Sequence, residues 1–233
     1  MNAIITGASK GIGKAIAEKL VMQNINIAIC ARDEKQLQET KSQLEILNPA
    51  VRIFTMVADL SKKKDAQLFG EQCLKNFSTI DILVNNAGSY LPGDITTEAD
   101  GTIEKMIETN LYSAYHLTRL IVPKMQSQKF GHIFNMSSIA GLQAYKNGGA
   151  YSISKFALQG FSKNLREELK PYLVKVTTIN PGATMSDSWS GSGIDEERIM
   201  KASDIADVLW NAYQLSNQAV VEDIVLRPIL GDL

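Results

Sequence analysis

The chain has 233 residues, 45% of them hydrophobic and 21% charged, a globular mixture that excludes an intrinsically disordered protein. Lys and Arg number 24 against 25 Asp and Glu, so the net charge of -1 leaves no electrostatic footprint for nucleic acid or an anionic membrane. Two cysteines, Cys30 and Cys73, are too few for a disulfide framework, and no apolar run approaches the ~18 residues of a membrane span.

The first residues enter a strand pattern at once, so no signal or transit peptide is expected, and the cytoplasm is the expected location. Apolar, β-branched runs occur at Ala3–Thr6, Ile25–Ala31, Val51–Val57, Ile80–Asn85, His132–Met136, Val174–Asn180 and Ile224–Leu226. Amphipathic stretches of helical length lie between them, among them Ile12–Gln23, Glu34–Leu47 and Lys63–Phe77. Several of the runs are apolar at every position, as strands covered on both faces are. Strand, helix and strand repeated in this way predict an α/β fold, a doubly wound parallel sheet with helices on both faces, forming one domain over 1–233. Within it, Ser61 is expected to cap the helix that follows, and Pro123 to kink or end its own. The glycine- and serine-rich piece from Ser186 to Gly193 is expected to be a mobile loop. His116 and His132 have no ligand-spaced neighbours, so no metal site is expected.

The first strand runs into Thr6-Gly7-Ala8-Ser9-Lys10-Gly11-Ile12-Gly13 and then a helical stretch. A tight strand-to-helix turn aims backbone N–H groups and the positive helix end at a diphosphate. Glycines are needed there because side chains would block the turn or the ligand's approach. The spacing is G-x-x-x-G-x-G rather than G-x-G-x-x-G, and its place between the first strand and first helix is what points to phosphate binding. NAD binders place an acid at the end of the second strand. Here Ala31-Arg32 stands there, so Arg32 and Lys10 either pair with a 2′-phosphate, favouring NADP(H) over NAD(H), or are solvated surface cations. The adjacent Asp33 has capping-box spacing with Gln36, which gives that acid a local role.

Further along come Asn85-Asn86-Ala87-Gly88, Asn110, Ser137-Ser138 and Tyr151-Ser-Ile-Ser-Lys155. Each alone reads as a turn or a packing residue. Together with the glycine turn, Asp59 after the third strand and Pro181-Gly182, their order and separations resemble the short-chain dehydrogenase/reductase family over essentially the whole length. The resemblance implies a Rossmann-type sheet of seven strands, a nicotinamide cofactor, and hydride exchange at a carbonyl or alcohol. It implies Tyr151 as proton donor, Lys155 lowering the tyrosine pKa and bonding the nicotinamide ribose, and Ser138 holding the substrate oxygen. Asn110 would interrupt its helix and hold a water that links Lys155 to solvent. Gly7, Ser9, Lys10, Gly11, Ile12, Gly13, Arg32, Asp59, Leu60, Asn86, Ala87, Gly88, Pro181, Gly182 and Thr184 would border the cofactor, with Tyr151 and Lys155. Ser186 stands where many relatives carry a carboxamide-binding Thr.

Gln143, Tyr145 and Trp189, with Ser138 and Tyr151, are the expected substrate contacts. Tyr90 and Leu91 are further expected walls, and Asp187 a candidate for a pterin's amino edge. The end of the chain, from Val220 to Pro228 and then Gly231-Asp232, looks like the tail of bacterial sepiapterin reductases. The expected function is an NADPH-dependent carbonyl reductase of small or medium substrates, sepiapterin-like or α-dicarbonyl. One alternative is a 3-oxoacyl-[acyl-carrier-protein] reductase, although Tyr172 stands where a second basic residue beside Lys129 would be expected for the acidic carrier. A non-catalytic NADP(H)-binding regulatory module is the alternative of another class. The resemblance further implies a homo-oligomer, dimer or tetramer.

Overall fold

A computed structural model of the chain describes residues 1–185, 193 and 195–232. Ser186, Asp187 and Trp189, and most of the expected mobile loop, lie outside the described residues.

Seven strands form one parallel sheet: β1 (Asn2–Thr6), β2 (Asn26–Ala31), β3 (Ile53–Val57), β4 (Ile82–Asn85), β5 (Gly131–Met136), β6 (Val174–Pro181) and β7 (Asp223–Leu226). Their order across the sheet is β3-β2-β1-β4-β5-β6-β7. Helices α1 (Gly11–Met22), α2 (Glu34–Leu47) and α7 (Ala202–Tyr213) cover one face, and α3 (Lys63–Asn76), α5 (Ser113–Gln128) and α6 (Gly149–Leu169) the other. A short α4 (Thr102–Ile107) leads into α5. Successive strand residues serve opposite cores. Ala3 and Ile5 of β1 pack with Ile16 and Leu20 of α1, whereas Ile4 packs with Phe69 of α3 and Leu117 of α5. This is why the strands are apolar at consecutive positions.

The strand order reverses at β1, which pairs with β2 on one side and β4 on the other. At such a point the connections diverge to opposite faces and leave a crevice beyond the carboxyl ends of the strands. The motif-bearing segments Gly7–Gly13, Asn86–Gly88 and Ser137–Ser138 all follow strands at that end.

One local expectation is corrected and another is narrowed. Ser61 does not cap α3, because its hydroxyl donates to Asp59 Oδ1 at 2.8 Å and the helix begins beyond Lys62. Pro123 does not end α5; the helix runs on to Gln128. Pro123 lies on the exposed side of the helix. Asp33 does cap α2, its Oδ1 accepting from Gln36 N at 2.9 Å.

Candidate active site

The glycine turn is closed against β4 by side chains from both strands. Thr6 Oγ1 accepts from Asn86 N and Ala87 N at 2.9 and 2.8 Å, while Asn86 Nδ2 donates to the carbonyls of Thr6 and Gly7 at 2.9 and 3.0 Å. The closure is so tight that a Cβ on Gly13 would lie 2.3 Å from Gly7 O and 2.5 Å from Asn86 Nδ2. Gly7 itself has φ +63°, a conformation that costs glycine nothing. Helix α1 starts here with no side-chain cap and no acid in its first turn, so its first N–H groups and positive dipole end face the crevice.

A groove of about 630 Å³ runs over this turn, lined by Gly7, Ser9, Lys10, Gly11, Ile12, Arg32, Asp59, Leu60, Asn86, Ala87 and Gly88 among others. Thr40 of α2 braces it by donating to Ser9 O at 2.9 Å. Arg32 and Lys10 are exposed at its rim. Asp59 accepts from both Ser61 N and Ser61 Oγ and stands 3.8 Å from Lys62 Nζ.

A second cavity of about 450 Å³ adjoins the groove and shares Ile12, Asn86 and Gly88 with it. Ser138, Tyr151 and Lys155 line it, as do Gln143, Tyr145, Pro181, Gly182 and Thr184. Ser138 follows β5 and starts a short turn, Ile139–Gly141, its Oγ accepting from Ala140 N at 3.1 Å. Tyr151 and Lys155 project from the first turns of α6. Ser138 and Tyr151 face the same cavity, and the Ser138 hydroxyl lies close enough to the Tyr151 phenol to favour its ionised form. Lys155 is buried, its Nζ donating to Met136 O at 2.9 Å and standing 5.7 Å from the centre of the Tyr151 ring.

Burial sets the protonation of both groups. It raises the Tyr151 phenol above its ordinary range, opposed by the nearby Ser138 hydroxyl and reinforced by nearby Tyr90. It brings the Lys155 ammonium down to about 8.

Asn110 lies in a π-helical turn, Glu108–Tyr112, between α4 and α5. Its Oδ1 accepts from Ser89 N at 2.7 Å, and its Nδ2 donates to Ser89 O at 3.0 Å and Ser154 Oγ at 2.9 Å. The amide thus ties the segment after β4 to α6. A Cβ on Gly88 would lie 3.1 Å from Asn110 Oδ1 and 3.6 Å from Lys155 Nζ, so this glycine keeps the space between the two groups open.

Three contributors had no distinctive sequence signal. Asp232 lines the 450 Å³ cavity and is ion-paired with Arg227. Arg198 clasps the same tail, donating to Gly231 O at 2.9 Å and Asp232 O at 3.2 Å. Tyr90, expected only as a wall, also sets its ring edge-on to Tyr151, centroids 4.9 Å apart. Thr184, expected at the cofactor, donates its hydroxyl to Gly182 O at 3.0 Å. Cys30 and Cys73 are buried with raised pKa values, inert by desolvation.

The family description "short chain dehydrogenase" matches residues 1–197. The chain belongs to this family. An uncharacterized oxidoreductase from Staphylococcus epidermidis is 32% identical over 227 residues, covering 97% of this chain and 96% of the relative. The sepiapterin reductase of Chlorobaculum tepidum is 30% identical over 240 residues, covering 99% of this chain and 97% of its own length. Among solved structures, a metagenomic short-chain oxidoreductase in complex with NADP superposes with a TM-score of 0.84 at 31% identity, covering 98% of this chain and 96% of that one. As a short-chain dehydrogenase, the protein is an oxidoreductase on a Rossmann-type sheet.

Proposed function

We propose that this oxidoreductase is an NADPH-dependent carbonyl reductase. The observation that carries the reading is the convergence of Ser138, Tyr151 and the buried Lys155 on a cavity that adjoins the groove over the glycine turn. The groove fits a dinucleotide on its own chemistry. It offers uncapped helix N–H groups, the tightly closed turn that Gly13 permits, and Arg32 and Lys10 at the rim where a 2′-phosphate would lie. Gly7, Ser9, Gly11 and Ile12 would hold the diphosphate, Asp59 and Leu60 the adenine end, and Asn86, Ala87, Gly88, Pro181, Gly182 and Thr184 the nicotinamide end. Bound there, the nicotinamide supplies a hydride to the carbonyl carbon or accepts one from an alcohol.

The protein's own groups handle the proton and the developing charge. Ser138 donates a hydrogen bond to the substrate oxygen from a position fixed by its own turn. Tyr151 gives its phenolic proton to that oxygen. Lys155, beside the ring, stabilises the phenolate left behind. A water in the space that Gly88 keeps open would join the second lone pair of Asn110 Oδ1 to Lys155 and carry the returning proton.

The substrate reading is a compact, flat carbonyl compound, sepiapterin-like or an α-dicarbonyl. The 450 Å³ cavity, its Tyr90 and Tyr145 walls and the likeness to sepiapterin reductase support it. The test compares sepiapterin, a phenyl diketone and an acetoacetyl thioester by kcat/KM with NADPH. A thioester preferred more than tenfold replaces this reading with that of a 3-oxoacyl-carrier reductase. NADPH binding without turnover of any carbonyl would favour a regulatory module. We further propose one domain and a cytoplasmic homo-oligomer, the latter supported by exposed Tyr112, Tyr115 and Phe156 near α5 and α6. Among the described residues no helix is long and apolar enough to cross a membrane.

A further inference from the structure

Tyr90 leaves the loop after β4 from a fixed point. Both backbone groups of Ser89, the residue before it, are gripped by the buried Asn110 amide, at 2.7 and 3.0 Å. From that anchor the Tyr90 ring reaches the Tyr151 ring, with centroids 4.9 Å apart and planes at 83°. This is the edge-to-face geometry that aromatic quadrupoles prefer. Tyr145, on the segment that precedes α6, lines the same cavity close to Tyr90.

We propose that Tyr90 is a positioning residue for Tyr151: its ring, anchored through Ser89 by Asn110, holds the Tyr151 ring in the one orientation from which the phenol reaches both Ser138 and the substrate oxygen. The inference rests on Tyr151 being the proton donor. Without the contact, the tyrosine side chain regains other staggered rotamers within a cavity large enough to admit them. The groups that face Tyr151 are Ser138 from the β5 end, Tyr90 from the β4 loop, Tyr145 before α6 and Lys155 on α6. Asp232, paired with Arg227, lines the same cavity from the tail, and Glu98 takes up the Ala150 N–H beside Tyr151.

The experiment uses the full chain as wild type, Tyr90→Leu and Tyr90→Phe. With NADPH and a phenyl diketone, Tyr90→Leu should lower kcat at least tenfold and leave the KM for NADPH within twofold. Tyr90→Phe, which keeps the ring, should restore kcat to within threefold of wild type. A second readout needs neither cofactor nor substrate. In protein labelled with carbon-13 on its tyrosine rings, the Tyr151 signal is assigned by its loss in Tyr151→Phe. That signal should move toward the free-tyrosine position in Tyr90→Leu and hold its place in Tyr90→Phe. A Tyr90→Leu protein with wild-type kcat and only a raised carbonyl KM overturns the proposal and leaves Tyr90 as a substrate wall. So does a Tyr90→Phe protein that fails to restore kcat. If no carbonyl is reduced by the wild type, the reductase reading fails by itself, and an unmoved Tyr151 signal in Tyr90→Leu still decides against the positioning role.

Discussion

Helices α1 and α6 each lay one face on the sheet, from opposite sides, and they bury opposite chemistries. The buried residues of α1 are Gly13, Ile16, Ala17, Leu20 and Val21, an apolar stripe with a glycine where the helix meets the turn. Of the ten buried residues of α6, six are polar: Ser152, Ser154, Lys155, Gln159, Ser162 and Arg166. They meet a polar row from the sheet, in which Asn85 Nδ2 donates to Asn135 Oδ1 at 2.8 Å and Asn135 Nδ2 to Ser162 Oγ at 2.8 Å. Gln159 is hydrogen-bonded to Asn180 just before Pro181, and Arg166 donates to Val176 O at 3.0 Å. A helix that buries hydrocarbon draws its hold from the hydrophobic effect and tolerates small shifts. One that buries amides, hydroxyls and an ammonium has its register fixed by directional bonds, because each misplaced polar group is left without a partner. The first suits a helix whose backbone terminus faces a ligand, the second a helix whose side chains must be placed against a reacting atom.

Substitutions on the two helices should therefore fail in different ways. Tyr151→Phe on α6 should lower turnover by about 10²–10⁴-fold while NADPH binding, followed by fluorescence titration, stays near wild type. Turnover within tenfold of wild type would remove Tyr151 from the role of proton donor.

Lys155→Met should abolish reduction and also change how stability depends on pH. Below pH 8 the ammonium is charged in both the folded and the unfolded chain, and its burial costs stability throughout. From about 8 up to the ordinary value of 10.5 the folded chain loses the proton first, so wild-type stability rises with pH across that window. The gain relative to Lys155→Met should reach about 3 kcal/mol, measured by urea denaturation across the window. Parallel curves for the two proteins would contradict the lowered value.

Gly13→Ala on α1 should act through shape alone. The new methyl has Gly7 O and Asn86 Nδ2 in its way, so the turn must open, at about 1–3 kcal/mol of stability and with loss of dinucleotide affinity. Unchanged NADPH affinity would show that the turn does not form the cofactor site. The smallest effect belongs to Arg32→Ala. Because Arg32 is exposed, the KM for NADPH should rise by a factor of about five with NADH use unchanged. An equal rise for both cofactors would mean that Arg32 does not read the 2′-phosphate.

The same contrast explains what could be read from the sequence. The strands and helices α1 to α3 follow from hydrophobic pattern, and the parallel doubly wound sheet follows from their alternation. The polar inner face of α6 carries no such pattern, and only the Tyr151-x-x-x-Lys155 spacing marked it. Boundaries drifted where the chain is apolar but unpaired, as at Ile25, Val51 and Ile80, each one or two residues ahead of its strand. The cofactor groove was legible because its parts lie within single strand-to-helix connections. The cavity wall was less so, since Asp232 arrives through a clasp by Arg198 that joins segments more than thirty residues apart. Asn110 was expected to interrupt its helix, and it lies in the π-helical turn; its grip on Ser89, and through that on Tyr90, depends on a tertiary contact with no local signature.

The reversal of strand order at β1 also has a consequence for the order in which the molecule can fold. β1 pairs with β2 as Ala3↔Ile27, but with β4 as Ala3↔Ile82. During synthesis the β1–β2–β3 unit can assemble early, yet one side of β1 stays an open edge until β4 has emerged. Throughout that interval the hydrogen-bonding edge of Ala3–Ile5, buried in the finished sheet, is available to other chains. Closure across such a separation is slow, so a slower arrival of Ile82–Asn85 should prolong the exposure of this edge and lower soluble yield without any change in the final fold.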